Sequence, residues 1–390
     1  MGALISLSIA IFSAASAAAV EIPAGTELQV RLKTKISSAS SKVGDSVEAV
    51  LIAPAVAAPG ATAAGTVLAV ENKDGERAIL ELGFTQLSYS GTTGTGITAK
   101  VSAVDNARES VDETGRIMGI LSSETMTAQI DKGLEKLSER AAKFSEILRA
   151  AKSMVLRQAD TSITYDPGVE LTLKLTKAVS WGGPTDSPQA AAPDASLRAI
   201  VLGQPFQTQT EKDLTPSDIT NLMFVGSRDQ VEAAFAGAGW TTASARNPES
   251  LLETIRAVAE HRGYKAAPMS ILILDGRIPD MVFQKQNNTF AKRHHLRIWK
   301  RPGEWDGREV WVSSATHDTG IEFSQEHSTF IHRINPQIDE ERQKAVSDLQ
   351  FAGKVQRSHL VDRPVVPKRG RNATGDDLIT DGKMAVLVLK

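Results

Sequence analysis

The chain has 390 residues, a formal net charge of −2 at pH 7 and no cysteine. A chain of this length exceeds what one hydrophobic core usually organises, so we expect two or three domains. The lack of cysteine excludes disulfides, thiol nucleophiles, thiolate metal sites and iron–sulfur clusters. Basic and acidic residues are interspersed, with no basic stripe and no nucleic-acid-binding motif, so we expect no binding to nucleic acid.

The first residues have the pattern of a secretory signal. Residues 3–19 are apolar and then small, with Ala-x-Ala sequences at which a signal peptide would be cleaved. We therefore predict a signal peptide at 1–19 and an exported bacterial protein of the periplasm or the extracellular space. The alternative is an uncleaved signal that keeps the protein membrane-associated, although the strongly apolar run of about ten residues is short for a membrane span.

Residues 20–182 are predicted to form an all-β module, because short alternating strands are separated by Pro-Gly and Asp-Gly turns. The strand that follows Pro23 resembles the strand that follows Pro167 in its turn and its alternation. One hypothesis is that the later strand returns to complete the same module. The other is that the two strands share only their turn chemistry.

A long helical insertion is predicted within this module, at 121–158. Apolar residues recur there at alternating spacings of three and four, with charged residues on the other faces. The stripe favours packing against the β-module, since alanine at two seam positions weakens a coiled coil. Self-association through 121–158 is the alternative.

Residues 183–196 are small, proline-containing and without periodicity, which is typical of a linker. Strands and separate helices follow without strict β-α-β alternation, so residues 197–390 are predicted to form an α+β domain.

The second domain contains a stretch rich in histidine, with five of the seven histidines of the chain between His294 and His332. Two β-branched runs on either side of a Pro-Gly turn predict a hairpin centred on Glu304, with paired residue numbers summing to about 609. His294 and His295 would then lie opposite Ala315 and Ser314, with His317 just beyond. Alternation would place His294 on one face of the strand and His295 on the other.

Several separated motifs of this domain resemble one known family, the LssY C-terminal domain, over residues of about 197–390. The motifs are Phe224-Val-Gly-Ser227, Arg293-His-His-Leu-Arg-Ile-Trp299, Ala315-Thr-His-Asp318, His332-Arg-Ile-Asn-Pro-Gln-Ile-Asp-Glu-Glu-Arg342 and Thr380-Asp-Gly382. Members of the family often join this domain to membrane-embedded lipid phosphatase segments. The present sequence lacks the motifs of that phosphatase, so the resemblance implies a fold and an envelope context but no assigned chemistry.

The histidines also suggest a polar site. Imidazole is the commonest metal ligand and titrates near neutral pH, and Zn or Mn accepts nitrogen and oxygen ligands of this kind. The predicted metal ligands are His294, His317, Asp318 and His332. The predicted catalytic residues are these four with His295 and Asp339, and Arg293 and Arg297 are predicted to bind an anionic substrate. The alternative is a set of structural histidines in a polar network.

The leading functional hypothesis is an exported cell-envelope protein with a binding or scaffolding role, whose partner is an envelope component or the membrane surface. The alternative is a metal-dependent hydrolase of phosphorylated or lipid-linked envelope substrates that uses the histidine cluster. A self-associating structural protein is the third possibility, and it depends on the heptad helix alone.

Overall fold

The computed structural model describes residues 19–52, 60–89, 94–121, 160–183, 191–242, 271–285, 292–324 and 329–390. The predicted signal peptide and the predicted long helix lie outside these residues, apart from one terminal residue of each. The helical insertion therefore stays a prediction. The described residues form two domains that are built mainly from β-strands.

The described strands of the N-terminal domain lie between Val20 and Trp181. Its described strands are β1 Val20–Ile22, β2 Glu27–Leu32, β3 Ile36–Ser37, β4 Ser46–Leu51, β5 Thr62–Glu71, β6 Ile79–Ser88, β7 Thr95–Val104, β8 Ser110–Val111, β9 Arg116–Met118, β10 Thr164–Tyr165, β11 Glu170–Leu175 and β12 Val179–Trp181.

Six of these strands close into an antiparallel barrel in the order β5-β4-β2-β11-β7-β6, with β6 pairing back onto β5. The alternation of the sequence explains which side faces the core. In β2, Leu28, Val30 and Leu32 are buried while the intervening side chains are exposed or half-buried. Side chains that alternate in this way fill the barrel interior from every strand.

Closure of the barrel depends on a close approach between β5 and β6 at Gly65. A Cβ atom built on Gly65 would lie 2.0 Å from the carbonyl oxygen of Gly83. Since no real Cβ atom tolerates that distance from backbone, only glycine lets the two strands pair at this position.

The hypothesis of a returning strand is confirmed. Strand β11 pairs antiparallel with β2, with Leu173 opposite Leu28, and it pairs on its other side with β7. The strand that follows Pro167 therefore completes the barrel that the strand after Pro23 begins.

The C-terminal domain contains the remaining described elements. The strands are β13 Gln207–Thr210, β14 Pro216–Ile219, β15 Leu222–Val225, β16 Trp240–Thr242, β17 Leu272–Ile273, β18 Met281–Lys285, β19 Arg293–Trp305, β20 Arg308–Ser324, β21 Thr329–Ile334, β22 Val355–Asp362, β23 Arg369–Arg371, β24 Asp377–Ile379 and β25 Lys383–Leu389. The described helices are α1 Ala195–Leu202, α2 Arg228–Gly237 and α3 Ile338–Phe351. Helix α1 thus begins inside the stretch predicted as a linker.

The central sheet has the order β16-β18-β19-β20-β15-β25-β22, with β21 attached to β20. Every pair is antiparallel except β15 with β25. Helices α2 and α3 pack on one face through Phe235, Ala345 and Leu349, and α1 packs on the other through Leu197 and Val201. Among the described residues, no helix combines the length and the hydrophobicity that crossing a membrane requires.

The histidine-rich hairpin is formed by β19 and β20, but its predicted register was wrong by two residues. His294 lies opposite His317 and His295 lies opposite Thr316, so paired numbers sum to 611. The reason is the turn. Asp306 and Gly307 both have positive φ angles, of 54° and 68°, and form the two-residue loop, while the ladder is bulged between Arg301 and Glu304.

A buried cluster of charges joins the two domains. Arg31 and Glu170 from the barrel meet Lys285, Lys344 and Asp348 from the C-terminal domain. The three cations and two carboxylates form a network of ion pairs, and Asp348 is 1% exposed. An ion network of this burial fixes one relative placement of the domains, because separating them would leave charges without partners.

Candidate functional site at the domain junction

His294 and His317 lie side by side on the face of the sheet that α3 covers. Their position follows from the register, because directly opposed residues of an antiparallel pair project to the same face. The two imidazole rings stack with centroids 4.2 Å apart and planes inclined by 25°.

His294 lies between two carboxylates that belong to different domains. Its Nδ1 atom is 2.6 Å from Oε2 of Glu341 in α3, and its Nε2 atom is 2.9 Å from Oδ2 of Asp105, just after β7 of the barrel. Burial alone would lower the pKa of His294, but the charges of Glu341 and Asp105 outweigh it and raise that pKa to about 10. At neutral pH His294 is therefore a cation that links the two domains.

His317 has the opposite electrostatic character. Burial and the neighbouring His294 cation lower the pKa of His317 to about 4, so this ring is neutral at neutral pH. Its Nε2 atom donates to Oδ1 of Asn106 at 2.6 Å, a second contact with the barrel. Asn106 itself has a positive φ of 53°, a backbone conformation that asparagine tolerates better than most residues.

The other face of the hairpin carries a second polar group of residues around Asp318. Its Oδ1 atom is 2.8 Å from Nε2 of His295, and its Oδ2 atom accepts from Nε of Arg293 at 2.9 Å. The Nδ1 atom of His332 lies 3.2 Å from the same carboxylate. Burial would raise the pKa of Asp318, but His295, His332 and Arg293 hold it well below its usual range. Burial in turn lowers the pKa of His332 to about 4.

The last two predicted residues, Arg297 and Asp339, each have an ion-pair partner outside these two groups. Nη1 of Arg297 is 3.2 Å from Oδ2 of Asp218 in β14. Asp339 accepts hydrogen bonds from Arg342 and Thr380 and from the backbone N–H of Asp381, so it organises the start of α3.

The predicted ligand set is therefore divided. His294 and His317 share one face, whereas Asp318 and His332 lie on the other, so the four do not form a single site. The structure instead adds Asp105 to the first pair. Ligand atoms of Asp105, His294 and His317 lie within 4.8 Å of one another, and such a set could hold a metal ion.

A cavity of about 340 Å³ opens beside this group, between the barrel and the C-terminal domain. Asp105, Asn106 and His317 contribute to its wall, with Lys292 and Lys344 on the side of the C-terminal domain. From the barrel, Gln29, Glu170 and Thr172 add polar side chains to the lining.

Sequence reasoning missed Asp105, Asn106, Glu341, Glu170 and Lys344. The only available signal was the polar pair Asp105-Asn106 directly after an apolar strand, which is also what an ordinary turn looks like. Nothing in the sequence relates this turn to a hairpin 189 positions later, the separation between Asp105 and His294.

Comparison with known proteins identifies the C-terminal domain. The family model described as LssY C-terminus matches residues 201–384. A search of curated proteins returned no match. Among solved structures, ComB10 of the Com type IV secretion system of Helicobacter pylori is similar at 12% sequence identity, covering 40% of this chain and 88% of that one. Its TM-score of 0.22 is too low to support a structural conclusion. Residues 201–384 therefore form an LssY C-terminal domain, as the motifs of the sequence predicted.

Proposed function

We propose that this protein is an exported component of the bacterial cell envelope that binds a small anionic ligand in the cavity between its two domains. The observation that carries the proposal is the cavity of about 340 Å³, to whose wall both domains contribute charged and polar side chains. A concave site with converging polar groups at a domain boundary is the usual position of a ligand site. Export rests on the signal-like residues 3–19.

The two lysines on the cavity wall favour an anionic ligand. Lys292 and Lys344 line the cavity together with the carboxylates of Asp105 and Glu170. Lysine ammonium groups donate to phosphate or carboxylate oxygens, and hydroxyl and amide groups such as Thr172 and Gln29 suit the polar remainder of a ligand.

The proposed ligand class is a phosphorylated, hydroxylated envelope component. The proposed role includes scaffolding, and the buried charge cluster supports this part. Arg31, Glu170 and Asp348 hold the two domains together, so the cavity between them keeps one shape. A preformed site loses less conformational entropy on binding than a mobile one.

Calorimetric titration of the full chain with glycerol 3-phosphate, and with glycerol as the uncharged control, tests ligand binding. We expect saturable binding of the phosphate ester only. Lys292→Gln should weaken it about tenfold, the equivalent of one charge-assisted hydrogen bond of about 1.5 kcal/mol. Lys73→Gln, a change at a side chain 66% exposed on the barrel, is the matched control. Equal affinities for both compounds, or equal effects of the two substitutions, would contradict the proposal.

Export has its own test, which is fractionation of bacteria that produce the full chain. The protein should be recovered with the periplasmic or secreted fraction, and deletion of residues 3–19 should retain it in the cytoplasm. Recovery of the undeleted chain in the cytoplasm would remove this part of the proposal.

A second candidate function is hydrolysis of phosphorylated or lipid-linked envelope substrates. The observation that favours it is the position of Asp105 and His317 on the cavity wall, where a bound metal would face the ligand. Release of p-nitrophenol from bis(p-nitrophenyl) phosphate in the presence of Zn²⁺ or Mn²⁺ measures this activity. A rate no higher in the wild-type protein than in His317→Ala would exclude the residue from such chemistry.

A further inference from the structure

We infer that Asp105, His294 and His317 bind one divalent metal ion, of the zinc class, that bridges the barrel and the C-terminal domain. One carboxylate oxygen and one nitrogen from each ring lie within 4.8 Å of one another. Two imidazoles and one carboxylate form a donor set that zinc accepts, with a fourth position left for water or a ligand. This inference does not depend on anion binding in the cavity.

Two of the three ligand atoms already lie at about the separation found in a filled site. In a tetrahedral zinc site with bonds of about 2.0 Å, neighbouring ligand atoms are about 3.3 Å apart. Nε2 of His294 and Oδ2 of Asp105 are already 2.9 Å apart. The third atom, from His317, lies no farther than 4.8 Å from the other two. Because the rings of His294 and His317 stack, the His317 ring must turn for its nitrogen to face the same ion.

Glu341 occupies the position of the carboxylate that contacts the non-metal-binding ring nitrogen of a metal-bound histidine. Its Oε2 atom holds Nδ1 of His294 at 2.6 Å, which directs Nε2 towards Asp105. A carboxylate on the distal ring nitrogen fixes the orientation of a metal-bound histidine and increases its basicity. Asn106 orients the ring of His317 in the same manner through its Oδ1 atom.

The charge balance suits a divalent cation. Asp105 and Glu341 supply two negative charges around His294. The cavity beside Asp105 and His317 gives the ion an entry path and leaves room for an exogenous ligand.

Equilibrium dialysis of the full chain against Zn²⁺, after removal of metals with a chelator, tests the inference. We expect one zinc per chain, and a loss of affinity of at least about tenfold in both Asp105→Asn and His317→Ala. His332→Ala removes a histidine from the opposite face and should bind as the wild-type protein does. Circular dichroism confirms that each variant is folded, and Asp105→Asn preserves the side-chain shape should His317→Ala fail to fold.

Substitution of cobalt for zinc gives a second readout, because tetrahedral Co²⁺ with nitrogen and oxygen ligands absorbs visible light. A visible band that Asp105→Asn abolishes and His332→Ala retains is expected. The inference would be overturned if Asp105→Asn bound zinc as tightly as the wild-type protein. It would also be overturned if Asp105→Asn and His332→Ala lost the same amount of zinc affinity. Since the titration with glycerol 3-phosphate is read separately, a failure of metal binding does not decide the proposed ligand site.

Discussion

Arg31 and Asp348 form an ion pair in which Nη2 and Oδ1 lie 2.9 Å apart, although 317 positions separate them in the chain. The same carboxylate accepts from Lys285 at 2.7 Å and from the indole N–H of Trp240 at 3.0 Å. Asp348 is thus the point at which a barrel strand, the central sheet and α3 are joined.

Asp348→Asn should lower the free energy of unfolding by about 3–5 kcal/mol, because removing one partner of a buried network leaves its cations uncompensated. Urea denaturation at pH 7 measures the change. Asp306→Asn is the matched control: its side chain is 67% exposed and its ion pair with Arg357 is 3.5 Å long. That control should change stability by no more than about 0.5 kcal/mol, and similar effects of both substitutions would argue against a junction held by Asp348.

Acid should weaken the domain junction through Glu170. Burial alone would raise the pKa of Glu170, but Lys285, Lys344 and Arg31 lower it well below its usual value of 4.5. The folded state therefore binds the proton less tightly than the unfolded state, so stability is fully present above pH 4.5 and decreases as the pH falls below that value.

Denaturation curves between pH 7 and pH 3 measure this dependence. Each unit of difference in pKa contributes about 1.4 kcal/mol. Glu170→Gln should be less stable at pH 7 and should lose less stability on acidification than the wild-type protein. The exposed substitution Glu304→Gln should leave the wild-type profile unchanged. A profile for Glu170→Gln as steep as that of the wild type would contradict the assignment.

Gly65→Ala should destabilise the barrel, because the added Cβ atom would lie 2.0 Å from the carbonyl oxygen of Gly83 and backbone would have to move. Overpacking of this kind costs about 1–3 kcal/mol or more. Gly96→Ala, in strand β7, places its Cβ atom where no described atom lies within 4 Å. Thermal denaturation should show a lower melting temperature for the first variant only.

A side chain at Gly307 should also destabilise the protein, through the turn of the hairpin formed by β19 and β20. This residue has a φ of 68°, so Gly307→Ala should cost about 1–2 kcal/mol through backbone strain. Asp306→Gly, at the preceding position with a φ of 54°, relieves strain instead and should be close to neutral. Urea denaturation of the two variants, compared with the wild-type protein, checks the assignment of the loop. Equal effects would mean that the turn lies elsewhere.

The sequence by itself determined those features that local physics controls. Alternation after Pro23 predicted a strand with one buried face, and alternation at His294 and His295 correctly placed these two rings on opposite faces of the hairpin. The separated motifs correctly indicated the LssY C-terminal domain. Side-chain direction in a strand has a period of two whatever the strand pairs with, so these conclusions needed no tertiary information.

The tertiary structure alone decided which polar residues meet. A shift of two residues in the hairpin turn placed His294 opposite His317, and packing of the barrel brought Asp105 and Asn106 to the same two rings. In the same hairpin, Asp318 and His332 lie on the opposite face from His294 and His317, the residues with which the sequence analysis had grouped them. A strand's register depends on its loop, and contacts between domains depend on the relative placement of whole sheets. Neither the register nor the contacts between domains can be predicted from the spacing of residues along the sequence.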